Sequence, residues 1–94
     1  MRIAVDELRR IADQLLTHVE SRAGRQIELE ADFYWNVPDA VKYDQYEEPK
    51  ELDVGQLSED WDRLAAISRG DSPPVGAALA WLGELFKAVA KQTP

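Results

Sequence analysis

Hydrophobic residues recur at helical spacing in the first quarter of the chain. The positions with this spacing are Leu8, Ile11, Ala12, Leu15, Leu16 and Val19. Such spacing puts one apolar stripe on an α-helix. Asp6 is a suitable N-cap and Gly24 a suitable stop. The pattern predicts an amphipathic helix over residues 6–23.

After Gly24 apolar and polar residues alternate, with a period of about 2, which is typical of a strand. The apolar series is Ile27, Leu29, Ala31, Phe33, Trp35 and Val37, and it alternates with Glu28, Glu30, Asp32, Tyr34 and Asn36. The pattern predicts a strand with an inward apolar face and a wet face that carries Tyr34. Pro38 ends this strand, and residues 41–46 are predicted to return as a second strand after a turn at 36–40.

The last third of the chain predicts two helices. One begins near Asp53 or Ser58 and ends at Gly70, and its inward stripe comprises Leu57, Trp61, Leu64 and Ala65. The other covers about 74–92, opens with two prolines in its first turn, and is apolar around most of its circumference. Such a helix is central to a core or forms part of a homodimer interface. The predicted fold class is α+β, a single domain over 1–94 with an N-terminal helix, a two-stranded antiparallel hairpin and two C-terminal helices.

The net charge of −7 is concentrated in the middle of the chain. Residues 28–62 carry twelve acidic side chains against two lysines, whereas both flanking regions are slightly basic. This field repels nucleic acid and anionic membranes and attracts basic surfaces. We therefore expect a basic protein partner, no nucleic acid and no membrane.

Catalytic and metal-binding signals are weak. There is no cysteine, and no apolar leader is visible at the N-terminus, so we expect a cytoplasmic protein without disulfides. The one histidine, His18, lies at the edge of the first helical stripe. At such a position a half-exposed helix residue is a more ordinary interpretation than a general base. A metal-dependent enzyme stays open as an alternative because the chain has two clusters of carboxylates, although EF-hand spacing is absent. The clusters are Asp44 with Glu47-Glu48, and Glu59-Asp60 with Asp62. We predict no enzymatic activity and no cofactor.

Tyrosines and acids together mark the candidate binding surface. Tyrosine offers a large contact area at low entropy cost, and surrounding acids accelerate encounter with a basic partner. The plainer interpretation is that the aromatic residues fill the core while acids keep an edge strand soluble. The predicted partner-binding residues are Asp32, Tyr34, Asp39, Tyr43, Asp44, Tyr46, Glu47 and Glu48.

Two segments, 32–38 (Asp-Phe-Tyr-Trp-Asn-Val-Pro) and 54–61 (Val-Gly-Gln-Leu-Ser-Glu-Asp-Trp), resemble small bacterial proteins of about this length to which no activity is assigned. In size and acidity the chain is also similar to the immunity proteins that neutralise bacterial toxins. That likeness is one of composition, and it carries over no residue role.

The sequence therefore leads to one hypothesis and two alternatives. The hypothesis is an immunity- or antitoxin-like protein that occludes the substrate site of a basic partner, such as a nuclease toxin. The alternatives are a homo-oligomeric structural or adaptor module that uses the apolar last helix, and the metal-dependent enzyme.

Overall fold

The computed structural model describes residues 1–36 and 53–94. Its elements follow in the order α1 (Val5–Ala23), β1 (Phe33–Asn36), β2 (Asp53–Gln56), α2 (Leu57–Ser68) and α3 (Ala78–Gln92). The α+β class, with a helix, a two-stranded antiparallel hairpin and two C-terminal helices, is confirmed. No helix in the described parts of the chain is both long and apolar enough to cross a membrane.

Helix α1 matches the predicted helix to within one residue. It ends as expected at Gly24, whose φ of 84° suits a glycine and whose N–H donates to the Glu20 carbonyl. Asp6 was predicted to be the N-cap, which is wrong. The N-cap is Ala4, and Asp6 lies in the first turn, where it pairs with Arg9 at 3.2 Å.

The apolar stripe of α1 lies largely in solvent among the described residues. Leu8, Ile11, Leu15 and Leu16 are all exposed, and only Ala12 and Val19 are half-buried. Near the end of the helix, the exposed His18 donates from Nε2 to the backbone oxygen of Pro94 at 3.0 Å. His18 is thus an exposed helix residue, whereas a half-exposed one was expected.

The observed strands differ from the predicted ones. The ladder of β1 covers only Phe33–Asn36, and its partner is Asp53–Gln56, where a helix start was predicted. The register pairs Phe33 with Gln56, Tyr34 with Gly55 and Trp35 with Val54. The predicted return strand at 41–46 lies outside the described residues.

Before β1, the chain has no strand partner within the described residues. Instead, the side-chain amide of Gln92 holds it: Nε2 donates to the Glu28 carbonyl at 2.7 Å, and Oε1 accepts from the Glu30 N–H at 3.0 Å. A side chain here satisfies backbone groups that a neighbouring strand would otherwise satisfy.

Helices α2 and α3 pack against each other and enclose the small core. Among the described residues, the buried apolar ones are Leu57, Ala78 and Leu85. Trp61 was predicted to face inward, but it is exposed. The inward face of α2 is rotated towards Asp60, which is only 3% exposed.

The end of α2 and the start of α3 are both fixed by local backbone hydrogen bonds. Gly70, with φ of 81°, ends α2 as predicted, and the N–H of Asp71 donates back to the Ala66 carbonyl at 2.9 Å. Helix α3 begins at Ala78, so the prediction that the prolines at 73–74 open it is wrong. The N–H groups of Ala78 and Leu79 bond three residues back, as in a tight 3₁₀-type turn, and this turn separates the prolines from the helix.

Candidate functional site

Two of the eight predicted partner-binding residues, Asp32 and Tyr34, lie in the described part of the chain. The other six lie outside the described residues, and their role stays a prediction: Asp39, Tyr43, Asp44, Tyr46, Glu47 and Glu48. Asp32 and Tyr34 both turn towards α2, where each makes hydrogen bonds within the chain.

The side chain of Tyr34 is on the inner face of the hairpin. It was predicted to be wet, and that prediction is wrong. Up to Leu29 the alternation runs as expected, with Ile27 and Leu29 half-buried, but the chain bends at Glu30. Beyond the bend the phase is shifted by one residue, so that Tyr34 is half-buried. A shift of one residue moves every later side chain to the opposite face of a strand.

A hydrogen bond to a buried carboxylate anchors Tyr34. Its hydroxyl donates to Oδ2 of Asp60 at 2.5 Å, across 26 residues of sequence. Burial, together with this hydrogen bond and the negative charges of Asp60 and Glu84, raises the pKa of Tyr34 to about 12, while Arg63 opposes the rise. The phenol is therefore neutral and a hydrogen-bond donor throughout the physiological range.

Asp60 has a second, longer contact with Arg63. The guanidinium Nη1 lies 4.0 Å from Asp60 Oδ1, and the guanidinium carbon lies 5.3 Å from the centroid of the Trp81 ring. A guanidinium over an indole face is a favourable cation–π arrangement. A continuous series of polar contacts thus links β1, α2 and α3, and it runs through Tyr34, Asp60, Arg63 and Trp81.

Gly55 provides the space for the Tyr34 ring. The two residues are direct partners across the strand pair, and a Cβ placed on Gly55 would overlap the ring. The glycine is needed here for the close approach of an aromatic ring and not for an unusual backbone angle, because positive φ occurs only at Gly24 and Gly70 among the described residues.

The side chain of Asp32 caps the N-terminus of α2 from outside the helix, 26 residues before Ser58, whose N–H it accepts. Its Oδ1 accepts the Ser58 N–H at 2.8 Å, and its Oδ2 accepts both the Ser58 hydroxyl at 3.1 Å and the Gln56 amide at 2.8 Å. The bonds from Gln56 and Ser58 hold the pKa of Asp32 below its ordinary value of 3.8. Helix α2 begins at Leu57 with Gln56 at the N-cap position, so of the two predicted starts the one near Ser58 is close and the one near Asp53 is wrong.

The outer face of the hairpin is aromatic. Phe33 and Trp35 are 65% and 68% exposed, and Val54, the cross-strand partner of Trp35, is 54% exposed. We call these three residues the aromatic face. The sequence pattern placed Phe33 and Trp35 in the core, and the shift at Glu30 is the reason that they lie outside. This surface thus consists of residues that the sequence pattern singles out but assigns to the core.

Two shallow grooves accompany these features. One, of about 220 Å³, lies beside Tyr34 and is lined by Leu57, Glu84, Lys87 and Lys91 among others. The other, of about 420 Å³, is mainly apolar and lies between α2, α3 and their connection, with Arg63 and Trp81 at its rim. In the described ranges, no group of three or more acidic or histidine side chains is arranged to hold a metal ion.

Comparisons with known proteins add no relative to this picture. The chain matches no family model, no curated protein and no solved structure. The resemblance to small bacterial proteins therefore stays a prediction.

Proposed function

We propose that the protein is a non-enzymatic binding protein. It occludes the substrate site of a basic protein partner, in the manner of an immunity protein or antitoxin. The observation that carries the proposal is the aromatic face of Phe33, Trp35 and Val54, more than half exposed on a strand pair. Large exposed rings in one contiguous set are typical of interaction sites.

Charge indicates the kind of partner. The aromatic face lies within the segment 28–62, which carries twelve acids and two lysines. Glu28 and Glu30, just before β1, are exposed, and neither forms an ion pair with another described residue. Acidic side chains around an aromatic contact favour a partner rich in lysine and arginine, such as a nuclease whose groove binds phosphates.

Capture followed by a binary binding measurement tests the proposal. The immobilised protein is expected to retain basic proteins from its native lysate, and each captured protein is then purified and titrated against the protein at several salt concentrations. Reversal of Asp44, Glu47 and Glu48 to lysine is expected to weaken binding by about tenfold or more, because several attractive charges become repulsive.

A matched control separates the local surface from net charge. Reversal of Asp13, Glu20 and Asp71, which lie outside 28–62, changes the net charge by the same amount. It is expected to weaken binding much less. If both triple variants keep wild-type affinity, with circular dichroism unchanged, the acids of 28–62 do not attract the partner and the proposal fails.

The last helix supports self-association as a second candidate function. Leu79 and Phe86 lie seven residues apart on one face of α3, and both are exposed. A homo-oligomeric module would bury this face. Light scattering at high concentration tests the idea, with Leu79→Lys as the variant: a monomer for both wild type and variant removes this candidate.

A further inference from the structure

The hydrogen-bond phase of the hairpin identifies which backbone groups of β1 point away from β2. The N–H of Leu57 donates to the Asp32 carbonyl at 2.6 Å, one residue outside the pair of Phe33 and Gln56. In an antiparallel ladder this bond makes Phe33 and Gln56 a non-hydrogen-bonded pair, and makes Tyr34 and Gly55 a hydrogen-bonded one. The backbone N–H and C=O groups of Phe33, and of Trp35 two residues later, therefore lie on the outer edge of β1.

This outer edge is open among the described residues. No backbone or side-chain group of residues 1–36 and 53–94 bonds to the main chain of Phe33 or Trp35. The neighbouring groups that face inward do have partners: the Asp32 carbonyl bonds to Leu57, and the Glu30 N–H bonds to Gln92. The same two residues, Phe33 and Trp35, thus combine exposed rings with main-chain groups that have no partner within residues 1–36 and 53–94.

We propose that an extended, lysine- or arginine-bearing segment of the partner pairs with this edge of β1 as a third strand. The inference rests on the proposed function and specifies how the partner binds. Main-chain hydrogen bonds to Phe33 and Trp35 hold the added strand, as in other cases of strand addition. Its side chains alternate between the two faces, so that every second one lies beside the aromatic face, where a cationic group can stack on a ring.

Charge complementarity selects the occupant. The edge begins three residues after the exposed acid Glu30, and the aromatic face lies in the segment 28–62, which carries more negative charge than the chain as a whole. An acidic or a neutral strand would gain the same hydrogen bonds. However, this negative field would repel the acidic strand and would not attract the neutral one.

Amide hydrogen exchange measured by NMR tests the open edge in the free protein. The amides of Tyr34 and Asn36, which point to β2, serve as internal controls within the same strand. We expect the amides of Phe33 and Trp35 to exchange at least about tenfold faster than those controls, because exposed main-chain groups exchange without unfolding. Equal protection of all four amides would show that the edge is already filled, by this chain or by a second copy, and would overturn the inference.

Synthetic peptides test the occupant. The probe is a short capped peptide of alternating lysine and valine, compared with a glutamate–valine peptide and with two N-methylated isomers, one methylated at every lysine and one at every valine. We expect the lysine peptide to bind and to slow exchange at Phe33 and Trp35. One of the two N-methylated isomers is expected to bind about tenfold more weakly than the other, since only one set of amides faces β1.

The outcomes for strand pairing and for charge preference are separable. Equal binding of both N-methylated isomers, or binding that leaves Phe33 and Trp35 unprotected, overturns the strand pairing while the preference for a basic partner stands. Equal binding of the lysine and glutamate peptides, with protection of both amides, removes the preference for a basic partner while the pairing stands. Failure of every peptide to bind overturns the inference.

Discussion

A buried carboxylate needs a hydrogen-bond donor, and Asp60 receives one from the Tyr34 hydroxyl. Removing the hydroxyl with Tyr34→Phe leaves Asp60, which is 3% exposed, without that donor. We expect the free energy of unfolding to fall by about 1–3 kcal/mol, the usual cost of stranding a buried polar group. Urea denaturation followed by tryptophan fluorescence measures the change.

The control for this substitution is Asp62→Asn, which neutralises an exposed acid two residues along the same helix. It is expected to alter stability by less than about 0.5 kcal/mol. A double-mutant cycle with Asp60→Ala isolates the pair, because Tyr34→Phe should cost little once the carboxylate is gone. Equal costs in both backgrounds would contradict the proposed coupling of the two residues.

The same contact predicts how stability changes at alkaline pH. The pKa of Tyr34 is about 12 in the folded protein, against an ordinary value of 10.0. The folded state therefore holds this proton more tightly than the unfolded state does, and the resulting stability is present in full below pH 10.0 and lost as the pH rises towards 12. Ultraviolet titration should show one tyrosine ionising near pH 12, and Tyr34→Phe should remove that step. Ionisation of every tyrosine near pH 10 would contradict the burial of Tyr34.

At the scale of elements, Asp32 joins the start of β1 to the start of α2. Its pKa lies below the ordinary 3.8, so it stabilises the fold above that pH, and this contribution is lost as the pH falls through the folded-state pKa. Asp32→Ala should lower the melting temperature by a few degrees at neutral pH, through loss of the cap. The difference in melting temperature between the variant and wild type should shrink below pH 3.8, because the Asp32 carboxylate of the wild type then becomes protonated.

Glu30→Gln is the control for Asp32, because it removes an exposed acid two residues earlier in the chain. Its side chain makes no hydrogen bond to another described residue. Calorimetry should give it the melting temperature of the wild type across the same pH range. If Glu30→Gln lowered the melting temperature as much as Asp32→Ala, the cause would be a general effect of charge and not the loss of a helix cap.

The strand pair predicts opposite results for two glycine substitutions. Gly55→Ala places a Cβ within the space of the Tyr34 ring, and it should destabilise the protein by about 1–3 kcal/mol and lower the pKa of Tyr34 towards its ordinary value. Gly83→Ala places a Cβ in open space inside α3, and it should be neutral or stabilising by up to about 1 kcal/mol. Denaturant unfolding and tyrosine titration check both. A stable Gly55→Ala variant with an unchanged titration would show that the ring does not lie over Gly55.

The elements also show which features a sequence can predict. Helix α1 was predicted almost to the residue, because its stripe and its Gly24 stop are local signals. The sidedness of β1 was not, because the bend at Glu30 shifts an alternation that remains unbroken in the sequence. The cap of α2 was missed for a different reason: Asp32 acts across 26 residues, and no local motif records such a contact. Asp32 and Tyr34 were predicted to face a partner, whereas both side chains make hydrogen bonds within the chain, and their role in binding stays a prediction.

At the scale of the molecule, charge and rings should act on different steps of binding. The negative field of 28–62 extends beyond contact distance and accelerates encounter, whereas the rings of the aromatic face act only once the surfaces meet. Reversal of Asp44, Glu47 and Glu48 to lysine takes the net charge from −7 to −1. We expect this variant to slow association with the basic partner by about tenfold and to flatten its dependence on salt.

Truncation of the rings should have the complementary effect. Trp35→Ala removes a side chain that is 68% exposed, so it should leave the fold and the association rate nearly unchanged and accelerate dissociation by about tenfold or more. Surface plasmon resonance at two salt concentrations measures both rates for both variants, and Trp61→Ala, which removes an exposed tryptophan from α2, is the matched control. If the Trp35→Ala and Trp61→Ala variants both dissociate from the partner at the wild-type rate, then the partner does not rest on the aromatic face.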